Sequence, residues 1–159
     1  RRELNTLARY TYSVNGTALS TSTGLLTVQT AATGAGSVCN VVEIMLGGEA
    51  GSSTVGRVAV NRPSAAPPGG ATAQTAEKLN PASGAATHVV ATAYATTQGT
   101  LSTNDVIILD FNAFGGVVRW HSFPGEEIVV GTQGAVAYLI VRSRSGTPTV
   151  GGHLVVEEA

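Results

Sequence analysis

Short runs of β-branched and apolar residues, separated by Gly, Pro, Asn and Ser, recur along the chain at a spacing of roughly ten residues. The runs lie at residues 10–14, 17–21, 25–30, 38–46, 55–61, 88–96, 106–111, 117–122, 127–130, 135–143 and 150–157. No amphipathic helix of three turns interrupts them, which excludes parallel βαβ folds. The pattern predicts an all-β chain: an antiparallel two-sheet sandwich, jelly-roll-like, with about eight to ten strands.

Turn-forming residues between these runs predict where the strands reverse direction. Asn15-Gly16, between two apolar runs, predicts a hairpin. Further turns are expected at residues 103–105, 115–116, 124–125 and 145–148. Residues 135–143 are largely apolar on both faces, which favours a central strand or one at an interface. Arg57, within the run 55–61, is expected to face outward.

Residues 62–86 form the one long segment without a clear strand pattern, and they hold Pro63, Pro67, Pro68 and Pro81. A Pro/Gly-rich loop this long inside a compact domain is usually functional or disordered. We expect it to lie over the surface or over a neighbouring subunit, with one or two helical turns at residues 73–79. The length favours a single domain over residues 1–159, with residues 1–8 as a possible N-terminal arm.

The composition is depleted in charge. Charged residues make up 12% of the chain, against about 25% in ordinary soluble domains, and Lys78 is the only lysine. Thr, Ser and Gly (20, 12 and 20 residues) take their place. Interfaces are likewise depleted in Lys, Glu and Asp, so we expect this surface to be covered by neighbours. The net charge of −1 gives no reason to expect nucleic acid as a partner, and no apolar run is long enough to span a membrane.

The sequence lacks the motifs that are typical of catalytic and nucleotide-binding sites. Glycine-rich nucleotide loops and nucleophile elbows do not occur, so we predict a protein that is not an enzyme and has no catalytic residues, cofactor or bound metal. His88, His121 and His153 are too far apart in sequence for a local metal motif, although strands could bring them together. A small metal-dependent β-sandwich enzyme would require that convergence. Cys39, the only cysteine, is expected to be a core residue rather than a nucleophile.

Two adjacent carboxylate pairs, Glu126-Glu127 and Glu157-Glu158, stand near predicted strands. Neighbours on a strand point to opposite faces, so neither pair acts by itself as a glycosidase-like couple. We expect these carboxylates to be solvated, or to pair with Arg119, Arg142 or Arg144 across a subunit contact.

Residues 119–127 hold the only tryptophan, Trp120, followed by Phe123 and a Pro-Gly turn. Trp and Arg dominate interface hot spots, so Arg119, Trp120 and Phe123 are candidate interface residues, together with Arg142 and Arg144. Two alternatives remain open for Trp120. It either fills the core, or it stacks on a sugar ring as part of a carbohydrate- or receptor-binding platform with Tyr94 or Tyr138.

From Gly115 to the C-terminus, the pattern GGVVRWHSFPGEEIVV…AVAYLIVRSRSGTPTVGGHLVVEEA resembles small structural proteins of tailed bacteriophages. The resemblance implies a virion component, such as a capsid decoration or cement protein, which is often trimeric. Its partners would be further copies of itself and a major capsid or other virion protein. It would be made in the host cytoplasm and located in the virion, and no catalytic residue comes with the resemblance.

Overall fold

The computed structural model describes residues 7–30, 38–63, 72–92, 100–131 and 138–158, and within these ranges every regular element is a β-strand. The strands are β1 (Ala8–Ala18), β2 (Gly24–Gln29), β3 (Cys39–Glu49), β4 (Val55–Pro63), β5 (Thr72–Ala73), β6 (Glu77–Lys78), β7 (Val89–Thr92), β8 (Leu101–Asn112), β9 (Phe114–His121), β10 (Ile128–Val130), β11 (Tyr138–Ser145) and β12 (Thr149–Glu158). The described part of the chain contains no helix that could cross a membrane.

The strands form two six-stranded antiparallel sheets. The first has the order β10-β3-β12-β1-β6, and β9 pairs with β3 beside β10. The second has the order β5-β7-β2-β11-β4-β8. Consecutive long strands mostly alternate between the sheets, so chain neighbours face each other across the core. The all-β, two-sheet prediction is therefore confirmed.

The core lies between the two sheets and is built by the alternation of side chains along each strand. Tyr12 and Leu154 face inward from paired positions of the first sheet, and Val60 and Val141 do so from the second. All four are almost completely buried. Burying one such aliphatic side chain contributes about 1.5 to 3 kcal/mol, so the shared core holds the sheets together.

The hairpin predicted at Asn15-Gly16 does not form. β1 runs through both residues, and its pairing with β12 shifts register between Val14 and Thr17. Gly16 has a φ of 56°, a left-handed conformation that glycine adopts at β-bulges as readily as in hairpin turns. The long partner β12 continues past the bulge, which keeps the strand extended.

The other predicted turns had mixed outcomes. Residues 103–105 lie inside β8 and residues 115–116 inside β9, so the reversal between these strands falls instead at Asn112–Ala113. The turn at Pro124-Gly125 is confirmed: the Glu126 amide donates to the Phe123 carbonyl at 2.9 Å, and Gly125 has a φ of 89°. At residues 145–148, the chain leaves β11 after Ser145 and enters β12 at Thr149, and Gly146 between them has a φ of 79°.

The described part of the long segment 62–86 lies on its own domain. β5 pairs with β7 and β6 pairs with β1, while the Leu79 amide donates to the Arg9 carbonyl at 3.0 Å. The helical turns expected at residues 73–79 are absent, because their backbone groups pair with these strand edges. With these two short strands, the described residues contain twelve strands, more than the eight to ten expected. Residues 64–71 lie outside the described ranges, as do residues 1–6 of the possible arm.

Two further predictions about strands are confirmed. β11 is central, lying between β2 and β4, and both faces of its Leu139–Val141 stretch are buried. Arg57 faces outward and is exposed. Its guanidinium pairs with Asp110 of β8, with Nε 2.6 Å from Oδ1.

Candidate interaction surface

One long side of the sandwich ends in two strands that each have a single partner. β9 pairs only with β3, and β8 pairs only with β4, as far as the described residues go. The two strands follow each other in sequence, so their free edges lie on the same side of the molecule. We call β8, β9 and the turn after β9 (residues 122–127) the open edge.

The register of β9 assigns each of its side chains to a face of the first sheet. Val117, Arg119 and His121 lie opposite Gly47, Met45 and Glu43, on the outer face. Trp120 lies opposite the fully buried Ile44 and faces inward.

Trp120 is partly buried and packs against the edge of the core. The alternative in which Trp120 fills the core therefore holds for the buried part of this side chain. The remaining part is accessible at the open edge.

Large apolar side chains are exposed along β9 and just beyond it. Phe114 is 60% exposed, Val117 66% and Phe123 72%. A bulge between residues 114 and 117 places Phe114 opposite Glu49, on the same outer face as Val117. An exposed apolar patch of this kind marks an interaction surface in soluble proteins.

The turn that carries Phe123 is fixed by hydrogen bonds. At its start, the Ser122 amide donates to the Val42 carbonyl of β3 at 2.9 Å. At its end, the Gly125 amide donates to the Glu127 carboxylate at 3.0 Å, which lowers the pKa of that carboxyl. Phe123 is thus presented from an ordered turn, which reduces the entropy lost when it binds a partner.

Arg119 is neutralised within its own chain. Its Nη2 lies 2.7 Å from Oε2 of Glu43, and His153 Nε2 lies 2.9 Å from the other carboxylate oxygen. The hydrogen bond from Arg119, with a smaller contribution from His153, outweighs the effect of burial and lowers the pKa of the Glu43 carboxyl. The first sheet therefore offers no free cation on β9.

Arg142 and Arg144 lie on β11 of the second sheet, so the five predicted interface residues do not form one surface. Both pair with Asp105, at 3.3 Å from Arg142 Nη2 to Oδ1, and Asn61 Nδ2 donates to the same carboxylate at 2.9 Å. Burial by itself would raise the pKa of Asp105, but these partners lower it. Within the chain, the partner of both arginines is Asp105 rather than an adjacent glutamate, and their pairing with glutamates across a subunit contact stays a prediction.

The three histidines do not converge. His88 is buried on the inner side of the first sheet, between Tyr12 and Glu158. His153 and His121 lie on the outer face, opposite Met45 and Glu43. Within the described ranges, no group of three His, Cys, Asp or Glu residues is arranged to hold a metal ion. The hypothesis of a metal-dependent enzyme therefore lacks the convergence of the three histidines that it requires.

Glu157 and Glu158 point to opposite faces, as predicted, but they are buried rather than solvated. Glu157 pairs with Arg9 at 2.6 Å on the outer face. Glu158 accepts hydrogen bonds from the His88 ring and from the Thr87 backbone on the inner side.

Sequence reasoning missed this inner network around Glu158. The sequence contained one signal for the network. Tyr10 and Tyr12 alternate on the face of β1 that points to the core, and buried tyrosine hydroxyls usually have a hydrogen-bond partner. Cys39 is also buried there, as predicted for a core residue, and burial raises the pKa of its thiol to about 12.

A groove of about 580 Å³ lies beside the turn after β9. It combines apolar side chains with carboxylates, an amide and a guanidinium. Its lining residues are Leu7, Arg9, Leu79, Asn80, Pro124, Glu127 and Glu157. This volume lies in the ordinary range of small-molecule sites, about 300 to 1,000 Å³.

Comparisons with protein-family models, curated proteins and solved structures found no match to this chain. Function is therefore inferred from the fold, the open edge and the charge arrangement.

Proposed function

We propose that this chain is a non-enzymatic structural subunit that is present in many copies and associates with itself. In a virion, the proposed role of the chain is that of a capsid decoration or cement protein. Such a protein binds further copies of itself and a major capsid or other virion protein. The observation that carries the proposal is the open edge, where Phe114 and Val117 on the outer face and Phe123 in the turn after β9 are each at least 60% exposed.

The strand order supports this class of protein. Leaving out the short strands, the first sheet reads β1-β12-β3-β9 and the second β2-β11-β4-β8. We infer a jelly roll from this division of eight long strands into two four-stranded sheets, with the first and last strands adjacent. Jelly rolls recur in viral capsid and lectin domains, which gives the virion role and a glycan-binding role a common structural basis.

The arrangement of charge supports association rather than electrostatic recruitment. Arg9, Arg57, Arg119, Arg142 and Arg144 each pair with a carboxylate of the same chain. Arg62 and Lys78 donate to backbone carbonyls. Arginines that are paired with carboxylates in this way offer little attraction to a phosphate backbone, so we infer that apolar contact and shape bring the subunits together.

The test of the proposal is the native mass, measured by sedimentation equilibrium, together with co-sedimentation of the protein with the particles from which it is purified. We expect an oligomer that binds such particles. A protein that is strictly monomeric at every concentration and that does not bind particles would contradict the proposal.

A second candidate function is glycan or receptor binding, which the groove beside Pro124 favours. A sugar presents apolar ring faces and hydroxyls, and the groove offers Leu7 and Leu79 beside the Asn80 amide and the Glu127 carboxylate. The stacking platform proposed from sequence is not assembled on one sheet, because Trp120 lies on β9 and Tyr138 on β11. Tyr94 lies outside the described residues.

Glycan-array binding separates this candidate from the structural role. Binding that is lost in Asn80→Ala and retained in Asn104→Ala, an exposed residue of β8 outside the groove, would favour the groove as the site. Loss in Trp120→Ala would instead favour the edge tryptophan.

A further inference from the structure

We propose that β9 is a strand-addition site and that its occupant is β9 of a second copy, paired antiparallel about a twofold axis. The inference rests on the proposed self-association and specifies its geometry. It starts from the backbone: a strand with one partner presents a row of unpaired N–H and C=O groups on its other side. The partner that satisfies such a row is another extended strand.

Most of the protective devices that natural proteins place on edge strands are missing from β9, which carries one of them, the bulge between residues 114 and 117. It has eight residues and contains no Lys and no Pro. Its one charged side chain, Arg119, is neutralised by Glu43 at 2.7 Å. Edges that remain solvated are usually short, charged or covered. A strand without these features is suited to being paired.

The side chains around β9 favour a second copy as the occupant. Antiparallel pairing places the start of one β9 beside the end of the other. Phe114 of one copy then lies near the turn that carries Phe123 of the partner subunit, and this contact occurs at both ends of the pair. Val117 of each copy lies between them, on the same outer face. The exposed apolar residues thus meet each other instead of water.

Charge is compatible with this pairing. The β9 segment and its turn hold no Asp or Glu before Glu126, and the Arg119 charge is compensated in the same chain. Two copies therefore approach without the net repulsion that juxtaposed like charges cause. A twofold interface of this kind is isologous and yields even copy numbers.

The experiment is sedimentation equilibrium on the full chain, comparing wild type with Val117→Lys. Val117 is 66% exposed, so the lysine is accommodated in the isolated subunit, while in the pair it brings two new charges close to the twofold axis. We expect the dimer dissociation constant to rise by about tenfold or more. Phe123→Lys, in the turn outside the strand, should have the same effect and serves as the second variant if Val117→Lys does not fold.

Two controls separate β9 from other surfaces. Val55→Lys introduces the same charge at a position that is also 66% exposed, at the start of β4, and should leave the dissociation constant unchanged. Ile108→Lys tests the neighbouring strand β8, where Ile108 is 50% exposed. Dissociation caused by Ile108→Lys but not by Val117→Lys would assign the contact to β8 and overturn the inference.

The outcomes also distinguish this inference from the proposed function. An oligomer that persists in both Val117→Lys and Phe123→Lys, or a native mass of three chains, overturns the β9 pairing and leaves a self-associating subunit in place. A monomeric wild type whose particle binding is lost in Val117→Lys assigns the edge to a different protein and also overturns the second-copy proposal. A wild-type protein that is monomeric and binds no particle would contradict both the β9 pairing and the proposed function.

Discussion

The two long sides of the sandwich differ in whether a further strand covers the edge of each sheet. On one side, the two-residue strands β6 and β5 add to β1 and β7, so each sheet ends in a short, polar fragment. On the other side, the sheets end in β8 and β9, of twelve and eight residues, with no such addition in the described chain. The described part of the segment 62–86 supplies the strands that cover the first of these sides. The comparison indicates that this fold covers one edge with its own strands, while the other edge has no further strand in the described part of the chain.

The protected side is attached to the core by a buried polar network. The His88 ring nitrogen Nδ1 bonds the Glu158 carboxylate, and Nε2 lies 2.7 Å from the Tyr12 hydroxyl. Because an ionised carboxylate only accepts, Nδ1 donates to Glu158; in the neutral imidazole Nε2 is then the acceptor of the tyrosine hydroxyl. Thr87 donates its amide and its hydroxyl to the same carboxylate. These bonds fix the chain that leads from β6 to β7.

The largest expected effect comes from removing the carboxylate of this network. Glu158→Ala leaves the buried His88 ring without its acceptor and removes the acceptor of the Thr87 amide, and breaking a buried pair such as His88–Glu158 costs about 3 to 5 kcal/mol. We expect the free energy of unfolding, measured in urea, to fall by that amount. Glu126→Ala, at an exposed residue of the turn after β9, is the control and should change stability little. Equal losses in the two variants would contradict the role of the network.

An intermediate effect is expected from pH. Burial would raise the pKa of the Glu158 carboxyl, but hydrogen bonds from His88 and Thr87 outweigh burial and lower it. A lowered folded pKa means that the ionised carboxylate stabilises the fold above the ordinary Glu value of about 4.3, and that this contribution is lost as the pH falls through the folded pKa. Tyr10, Tyr12 and Cys39 stay protonated in this range, because burial raises their pKa values.

The measurement is urea unfolding at a series of pH values below neutrality, for wild type and Glu158→Gln. Wild type should lose more stability on acidification than the variant does. The slope that persists in the variant comes from other carboxyls whose pKa values are lowered by their partners: Glu43, Asp105, Asp110 and Glu127. Parallel pH profiles would show that Glu158 does not contribute to acid sensitivity.

The smallest effect is expected at the open edge. Val117→Lys removes no buried contact, so in dilute protein the free energy of unfolding should change by no more than about 0.5 kcal/mol. Urea unfolding below the concentration of self-association measures this directly. A large loss would show that Val117 supports the fold itself, and the contrast between the two sides would then be wrong.

The strands could be predicted from the sequence better than their connections. The runs at residues 106–111 and 150–157 fall within β8 and β12, and the run 38–46 begins one residue before β3, because alternating apolar residues favour half-buried strands in any such fold. Asn15-Gly16 was misleading, since a glycine with positive φ fits a bulge and a hairpin equally well. The choice between them depended on the long partner β12.

The candidate surface was only partly predictable. The aromatic segment with Arg119, Trp120 and Phe123 was recognised from residue types and does lie at the open edge. Arg142 and Arg144 were grouped with it because charge and residue type carry no information about sheet membership. Their partner Asp105 lies on β8, two strands away in the second sheet.

The sequence by itself determined the secondary structure class and the scarcity of charge, since both follow from local pattern and composition. The tertiary structure decided which charges cancel, where the three histidines lie and which edge is left open. Those features depend on register and strand order across residues far apart in the chain, such as Glu158 and His88, and short-range patterns do not encode them.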